Sequence, residues 1–171
     1  MPAKSANRRP GTRAFPHPDH DHARCAKQAL ARAESVCAER GTKLTEIRRR
    51  VLTAVWAGHA PVGAYDILAR LNAGGGRTAP MAVYRALDFL MDQGLVHRLA
   101  SLNAFIGCAR TGAPHDAHFL ICRSCRSAAE VEGPSFSQTM KKSLAAHRFV
   151  AEDEFVEIQG LCERCRKEGR A

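Results

Sequence analysis

The sequence has no apolar run approaching the ~20 residues that a helix needs to cross a bilayer. Its first ten residues carry Lys and Arg, but no apolar segment follows them, which argues against a secretory signal. We therefore expect a cytoplasmic protein that has no membrane partner.

Catalytic signatures are missing as well. The chain has no Ser/His/Asp pattern, no phosphate-binding glycine loop and no metalloprotease motif. An enzyme needs an activated nucleophile or a metal ion with an open position. We therefore expect neither an enzyme nor a small-molecule substrate. A zinc enzyme or a thiol oxidoreductase is the competing hypothesis from a different class.

Acidic residues are scarce in the first two-thirds of the chain, where basic residues outnumber them. The net charge is +9. Residues 1–24 hold five Lys/Arg against two Asp, residues 25–110 hold twelve against six acidic residues, and residues 111–171 hold nine of each. The excess positive charge therefore precedes residue 111. This distribution indicates one region that meets a polyanion and another with a different task, although a merely soluble basic protein would show the same total.

The chain starts with a segment that has no periodicity. Residues 1–23 are rich in Pro, Arg, Ala and His and predict a disordered, basic tail. The tail's histidines suit weak metal binding, although a solvated tail is the simpler interpretation; they are His17, His20 and His22.

Residues 24–108 predict a winged helix-turn-helix domain that binds DNA. Apolar residues recur at helical spacing in several segments, the last of which begins at Thr78-Ala79-Pro80. The period then changes to that of two strands, 95–100 and 104–108, around a turn at Leu102-Asn103. Three or four short helices followed by a β-hairpin is the order of elements in a winged helix.

The remaining residues predict a hinge and a second, smaller domain. Residues 109–116 contain Gly112 and Pro114 and read as the hinge. Residues 117–171 predict an α/β unit with strands at 119–122, 128–131 and 149–159 and a helix at 135–147. A unit this small rarely buries enough surface to fold alone, so we expect a structural metal and a partner subunit. The fold class is therefore α+β, with a winged helix followed by a dimerisation and metal-binding domain.

Four of the seven cysteines form two Cys-x-x-Cys pairs, Cys122/Cys125 and Cys162/Cys165. Four thiolates make a complete tetrahedral set for zinc and leave no open position, so the predicted role is structural. A redox dithiol is the alternative, but it usually requires one pair at the start of a helix rather than two matching pairs. Cys37 is interpreted as a small buried apolar residue, and Cys25 has no assigned role.

A second set of ligands is suggested by the predicted hairpin. If the chain turns at Leu102-Asn103, opposed residues sum to 205, so His97 and Cys108 face each other. Directly opposed side chains have Cβ atoms about 4.5–5.5 Å apart, which suits two ligands of one ion. His115, seven residues after Cys108, and Glu130, in the strand after the first cysteine pair, would complete the set, and His118 competes for any of these positions.

The segment from Met81 to Asp88 predicts the recognition helix. With Val83 and Leu87 buried, Arg85 points away from the core and suits a guanine edge in the major groove, while Tyr84 suits a thymine methyl or a phosphate. Basic residues on an earlier helix suit phosphate contacts; they are Lys43, Arg48, Arg49 and Arg50. An ordinary solvated helix face is the alternative for each of these residues.

Together these residues resemble the ferric uptake regulator family. The stretch Ala82-Val83-Tyr84-Arg85-Ala86-Leu87 is similar to the family's recognition-helix motif, and Phe119-Leu120-Ile121-Cys122-x-x-Cys125 is similar to its knuckle motif. Cys162-x-x-Cys165 fits the second cysteine pair. The resemblance runs from about residue 25 to 167.

Further particulars resemble the zinc uptake regulator branch of that family, notably Gln93-Gly94-Leu95-Val96-His97 and a cysteine at position 108. The resemblance implies His97, Cys108, His115 and Glu130 as regulatory zinc ligands, beside the four-cysteine structural site. It therefore implies two zinc ions per chain. It also implies a homodimeric repressor that binds double-stranded operator DNA when zinc is plentiful and represses zinc-uptake genes.

A relative that senses ferrous iron or peroxide is the alternative within the family. Iron sites prefer nitrogen and oxygen ligands, whereas a thiolate favours zinc, so Cys108 discriminates between the two. In the zinc reading, the regulatory ligands come from the wing, the hinge and the second domain. We therefore expect the bound metal to hold the hinge in the arrangement that binds DNA.

Overall fold

The computed structural model describes residues 14–15, 21–73, 75, 77–111, 117–131, 134–152 and 154–170. The helices among them are α1 (His22–Glu39), α2 (Glu46–Val55), α3 (Ala64–Asn72), α4 (Pro80–Asp92), α5 (Pro134–Ala146) and α6 (Glu163–Lys167). The strands are β1 (Val96–Leu99), β2 (Ala104–Gly107), β3 (His118–Cys122), β4 (Ala128–Val131) and β5 (Val156–Gly160). Within these residues, no helix combines the length and the apolar character that crossing a bilayer requires.

Helix α1 begins within the segment 1–23, which the sequence predicted to be disordered. Asp21 is its N-cap residue, and the carboxylate accepts a hydrogen bond from the backbone N–H of Arg24 at 3.1 Å. His22 is therefore the first helical residue, so its assignment to the disordered tail was wrong. The other two tail histidines, His17 and His20, lie outside the described residues.

Helices α1 to α4 pack around one apolar core. Helix α4 starts with Pro80 at its first position, which is compatible with a helix because that residue's missing N–H has no partner there in any case. The fully buried residues of α2, α3 and α4 include Val51, Leu52, Ile67, Val83, Leu87 and Leu90. The stripe that the sequence predicted for α4 is therefore the side that faces the core.

The hairpin of β1 and β2 forms with a different register from the predicted one. His97 pairs with Ile106 and Leu99 pairs with Ala104, so paired residues sum to 203 rather than 205. The reason is the turn. Residues Ala100–Leu102 form a 3-10 turn, and Asn103 follows in the left-handed region with φ of 45°. The loop therefore occupies four residues centred one position earlier than predicted. We call Ala100–Leu102 the wing turn.

The second part of the chain, from β3 to α6, contains a three-stranded sheet in the order β4-β3-β5. Strand β3 is antiparallel to β4 and parallel to β5. The predicted strand 149–159 was too long, because only Val156–Gly160 forms strand pairs. Helix α6 was not predicted.

One face of the sheet carries the hairpin. Phe119 pairs with Glu130 on one side and with Glu157 on the other, so these three side chains form a row across that face. A buried cluster of Leu99, Phe119, Ile121 and Ala128, with Leu102 and Ile106 packed against it, joins the hairpin to the sheet. This packing holds the hairpin against the sheet, so residues from both can lie close together.

Candidate metal centres and nucleic-acid interface

The four paired cysteines come together at one end of the sheet. One ligand atom from each of Cys122, Cys125, Cys162 and Cys165 lies within 4.8 Å of all the others. The Sγ atoms of Cys125 and Cys162 are 3.9 Å apart. Zn–S bonds of about 2.3 Å in a tetrahedron place the sulfurs about 3.8 Å apart, so this spacing fits a four-thiolate zinc site.

Strand pairing brings the two cysteine pairs together across the long sequence between them. Cys122 is the last residue of β3 and pairs with Gly160, the last residue of β5, because the two strands are parallel. Cys162 then caps α6, and its backbone N–H donates to the Sγ of Cys122 at 3.4 Å. Phe15 and Leu161 pack against the cluster. The parallel pairing of β3 and β5 therefore brings the two distant cysteine pairs together, in place of the short loop of a zinc ribbon.

The thiols of this cluster have opposite pKa shifts. Burial acts to raise the pKa of Cys125, but hydrogen bonds with Ser127 and with neighbouring cysteines outweigh it and lower that pKa to about 6. Burial, helped by hydrogen bonds with neighbouring thiols, raises the pKa of Cys162 to about 11. Zinc binds thiolates, so binding at neutral pH must release at least the proton of Cys162.

A second group joins the hairpin to the sheet. Ligand atoms of His97, Cys108 and Glu130 all lie within 4.8 Å of one another. His97 comes from β1, Cys108 follows β2, and Glu130 comes from β4. The sequence predicted these three together, but through a direct pairing of His97 with Cys108 that does not form.

The observed register explains how His97 and Cys108 still meet. His97 is opposite Ile106, so Cys108 is its diagonal neighbour on the same face of the hairpin. Diagonal neighbours have Cβ atoms about 7–8 Å apart, which the long imidazole side chain can cover. The backbone N–H of Cys108 donates to the carbonyl of Leu95 at 3.0 Å, so the pairing continues past the end of β2.

Backbone N–H groups hold two of these donors in place. The N–H of Ala109 donates to Glu130 Oε2 at 3.1 Å, and the N–H of Arg110 donates to Cys108 Sγ at 3.3 Å. Cys108 is fully buried. Burial first, and then the negative charge of Glu130, raise the pKa of its thiol to about 11. The arrangement therefore disfavours two adjacent negative charges unless a cation lies between them.

The fourth predicted regulatory ligand, His115, lies outside the described residues. His118, the competing ligand, is buried, and its Nε2 lies 3.7 Å from Glu154 Oε1. It pairs with Val131, next to Glu130, so its side chain points to the opposite face of the sheet. His118 therefore does not join the group of His97, Cys108 and Glu130.

Both groups fit zinc by their donor chemistry. A closed set of four thiolates is typical of structural zinc, and a mixture of imidazole, thiolate and carboxylate also suits this ion. The difference is that the second group shows three donors among the described residues and draws them from two parts of the fold.

The predicted DNA-reading residues lie on the outside of α4. Arg85 is exposed and Tyr84 is 37% exposed, whereas Val83 and Leu87 are buried on the other side. An exposed arginine near the start of this helix has the freedom to reach a base edge.

The basic residues of α2 are more engaged within the protein than the sequence indicated. The guanidinium of Arg48 lies over the Phe89 ring at 3.3 Å and donates to the carbonyl of Lys43. Arg49 forms an ion pair with Glu34, and Arg50 donates to the carbonyl of Leu71 at 2.7 Å. Lys43 itself is exposed.

Sequence reasoning missed Tyr65 as a surface residue. It lies in the first turn of α3 and is 75% exposed, the most exposed aromatic side chain among those described. A signal was available, because Tyr65 lies off the helical stripe of Ile67 and Leu71, which are both buried. An amphipathic aromatic ring exposed beside the recognition helix suits contact with nucleic acid.

The chain is similar to known proteins over most of its length. A model of the ferric uptake regulator family matches residues 39–159. The zinc uptake regulation protein of Escherichia coli (strain K12) is 34% identical over 140 residues, which are 81% of this chain and 82% of that protein. A solved zinc uptake regulator complexed with zinc and DNA has a TM-score of 0.80 at 32% identity, covering 85% of this chain and 98% of that one. Holo XcZur has a TM-score of 0.75 at 38% identity, covering 83% and 99%.

Proposed function

The chain belongs to the ferric uptake regulator family, and on that basis we propose that it is a zinc-responsive transcriptional repressor of the zinc uptake regulator branch. It binds double-stranded operator DNA as a homodimer, with zinc as co-repressor, and controls zinc-uptake genes. This is a cytoplasmic task that requires no catalysis. The solved relative in complex with zinc and DNA supports the assignment, because the match covers 98% of that chain and 85% of this one.

The observation that carries the proposal is the group of His97, Cys108 and Glu130. Its donors come from the hairpin and from the sheet, so a metal ion there joins the two parts of the fold. Thiolate favours zinc over ferrous iron, which prefers nitrogen and oxygen ligands. A ferrous-iron- or peroxide-responsive regulator, the alternative within the family, is therefore not favoured.

We assign one zinc ion per chain to each group. Cys122, Cys125, Cys162 and Cys165 hold the structural ion, and His97, Cys108 and Glu130 hold the regulatory ion with His115 as fourth ligand. The resemblance to the family supports His115, whose position in the hinge would add a donor between the two parts.

The mechanism follows from where the regulatory ligands lie. Cys108 and Glu130 would hold the ion with His97, and its positive charge would let the thiolate and the carboxylate stay side by side. Glu130 draws the end of β2 to the sheet through the N–H of Ala109. His97, on β1, lies beside Cys108 at the end of β2 and belongs to the same group of donors. With these side chains in place, the two recognition helices of a dimer keep one spacing, and matching half-sites on DNA bind without a further cost of ordering.

DNA contact is assigned to the exposed side of α3 and α4. Arg85 reads a base edge, and Tyr84 contacts a base or the backbone. Lys43, just before α2, and Arg48, within α2, add contacts to phosphate. Tyr65 joins them from the first turn of α3.

An apolar surface on the second part of the chain supports the homodimer. Large apolar side chains are exposed there; they are Met140, Phe149, Val150, Phe155 and Ile158. Exposed large apolar side chains are typical of a surface that a partner covers when they lie together. A second copy of this chain is the occupant that the family relationship implies.

The test is a titration of operator binding against buffered free zinc, with ferrous iron and manganese as parallel titrations. We expect zinc to raise operator affinity by about 5–150-fold, the usual range of coupling between two sites. The Cys108→Ala variant should lose this response. Equal responses to iron and zinc, or an unchanged response in Cys108→Ala, would contradict the proposal.

A further inference from the structure

Glu157 connects the sheet to the wing turn. Its Oε1 accepts a hydrogen bond from the backbone N–H of Ala100 at 2.6 Å, and its Oε2 accepts one from the N–H of Ser101 at 3.1 Å. The hydroxyl of Ser101 also donates to Oε2. One carboxylate from β5 thus binds three donors of the hairpin.

These contacts satisfy groups that the turn cannot satisfy itself. The first N–H groups of a helical turn have no partner within that turn, and Leu99, at the cap position, provides no side-chain acceptor. Glu157 provides the acceptor from the other part of the fold. Hydrogen bonds to an ionised carboxylate are roughly twice as strong as those between neutral groups. The Glu157 carboxylate therefore holds the wing turn more strongly than a neutral acceptor would.

The same sheet face holds the hairpin at both ends. Glu157 and Glu130 flank Phe119 in one row, Glu157 reaching the wing turn and Glu130 reaching Ala109 after β2. Between them, the ring of Phe119 packs 5.3 Å from the ring of His97. The two carboxylates differ in one respect: Glu130 belongs to the group of metal donors, and Glu157 does not.

We propose that Glu157 is a positioning residue, a latch that needs no metal and that keeps the hairpin docked on the sheet. By doing so it sets the zinc concentration at which the regulatory group fills. This inference rests on the proposed function for the meaning of the regulatory group, and it adds a residue that takes no part in binding metal.

The expected effect follows from linkage. The regulatory donors lie together only while the hairpin is docked, so the apparent Kd for zinc equals the intrinsic Kd divided by the docked fraction. Removing the latch lowers the docked fraction when no metal is bound. We expect Glu157→Gln, which keeps an acceptor oxygen but loses the charge, to weaken regulatory zinc binding about tenfold.

A backbone variant tests the same contact from the other side. Ala100→Pro removes the N–H that Glu157 accepts, at a position where proline is tolerated because the preceding Leu99 is extended. It should weaken zinc binding in the same direction. In a double-mutant cycle, Glu157→Gln and Ala100→Pro should not be additive, since Glu157→Gln weakens and Ala100→Pro removes the same contact between residue 157 and the wing turn.

Glu152→Gln is the matched control. Glu152 is exposed and takes no part in the three wing-turn hydrogen bonds of Glu157, and the substitution makes the same change of charge. The variant should bind regulatory zinc within twofold of the parent protein. Zinc at the four-cysteine group and the thermal unfolding midpoint should stay unchanged in Glu157→Gln, which separates a positioning role from general destabilisation.

The full-length dimer is then examined without DNA. A chelator removes the regulatory zinc and leaves the structural ion, and hydrogen exchange of the Ala100 and Ser101 amides is followed by NMR. Both amides should exchange at least tenfold more slowly in the parent protein than in Glu157→Gln. Equal exchange in the two proteins, or a regulatory zinc Kd in Glu157→Gln within twofold of the parent value, would overturn the inference.

These readouts are independent of operator binding. If zinc failed to stimulate DNA binding while Glu157→Gln weakened regulatory zinc and exposed both amides, the proposed function would fail and the latch would stand. If zinc controlled DNA binding while the regulatory zinc Kd and the exchange of both amides in Glu157→Gln matched those of the parent protein, the latch would fail and the proposed function would stand.

Discussion

The two groups of metal donors differ in where their ligands come from. The four cysteines lie in one part of the fold, at the adjoining ends of β3 and β5, and all offer the same soft donor. His97, Cys108 and Glu130 lie in the hairpin and in the sheet and offer three kinds of donor. A group within one part can stabilise that part, whereas a group that bridges two parts can report on their arrangement. Location therefore separates a structural role from a regulatory one more clearly than ligand type does.

The largest expected effect breaks the first group. Cys122→Ser or Cys165→Ser should unfold or dissociate the C-terminal part, because structural zinc contributes roughly 10–16 kcal/mol to the folding of small zinc domains. Thermal unfolding and sedimentation measure the outcome. Cys25→Ser is the control, since Cys25 belongs to neither group. A Cys122→Ser protein that stayed a folded dimer with an unchanged melting temperature would remove the structural assignment.

A change at the DNA face should leave both groups intact. Arg85→Ala should cost about 1–3 kcal/mol per half-site and relax sequence preference there, and a symmetric dimer counts this loss twice. Lys43→Ala should instead weaken binding to all DNA alike and reduce the salt slope by about one per contact. Binding of both variants to operator and scrambled DNA across a salt series measures the difference. Equal losses on both DNAs for Arg85→Ala would make this residue a phosphate anchor.

Breaking the second group should separate sensing from folding. Cys108→Ala should fold and dimerise with the structural zinc in place, but hold about one zinc ion per chain instead of two. The coupling between zinc and operator DNA, typically about 1–3 kcal/mol, should be lost. Zinc content and operator titrations measure the two effects side by side. A Cys108→Ala protein that responded to zinc at the parent concentration would exclude Cys108 as a ligand.

The smallest effect concerns pH. The Cys108 thiol, with its pKa raised to about 11 chiefly by burial, is protonated at neutral pH and must lose that proton to bind zinc. Affinity at the regulatory group should therefore rise with pH, about tenfold per unit from this residue alone between pH 7 and 9. Competition with a chelator of known pH dependence measures the slope. In Cys108→Asp, whose carboxyl is already ionised, the slope should fall by about one; an unchanged slope would assign the proton elsewhere.

Much of the helical part could be predicted from local patterns. The stripe of Val83 and Leu87, the start of α4 at Pro80 and the exposed side of Arg85 follow from helical periodicity and from the chemistry of proline, which act within a few residues. The exposure of Tyr65 follows from the same periodicity, because this residue lies off the buried stripe of Ile67 and Leu71.

The four-cysteine group could be predicted from spacing, since two identical pairs leave few other interpretations. The way in which they meet could not, because it depends on β3 and β5 lying parallel, so that Cys122 ends beside Gly160. Three residues of the second predicted group, His97, Cys108 and Glu130, lie together, but not through the predicted pairing of His97 with Cys108. The centre of a turn decides the register of a hairpin, and the wing turn shifted that centre by one residue.

The sequence by itself determined which residues are candidate donors, the apolar stripe and exposed side of α4, and the division into a basic and a neutral part, because these depend on residue type and short spacing. Only the tertiary structure decided that Glu130 lies beside Cys108 and that Glu157 accepts from the wing turn. Both glutamates reach the hairpin because they share one sheet face with Phe119. That face is set by the pairing of β3 with its neighbour β4 and with β5, which is distant from both in the chain. No local pattern of residues encodes the pairing with β5.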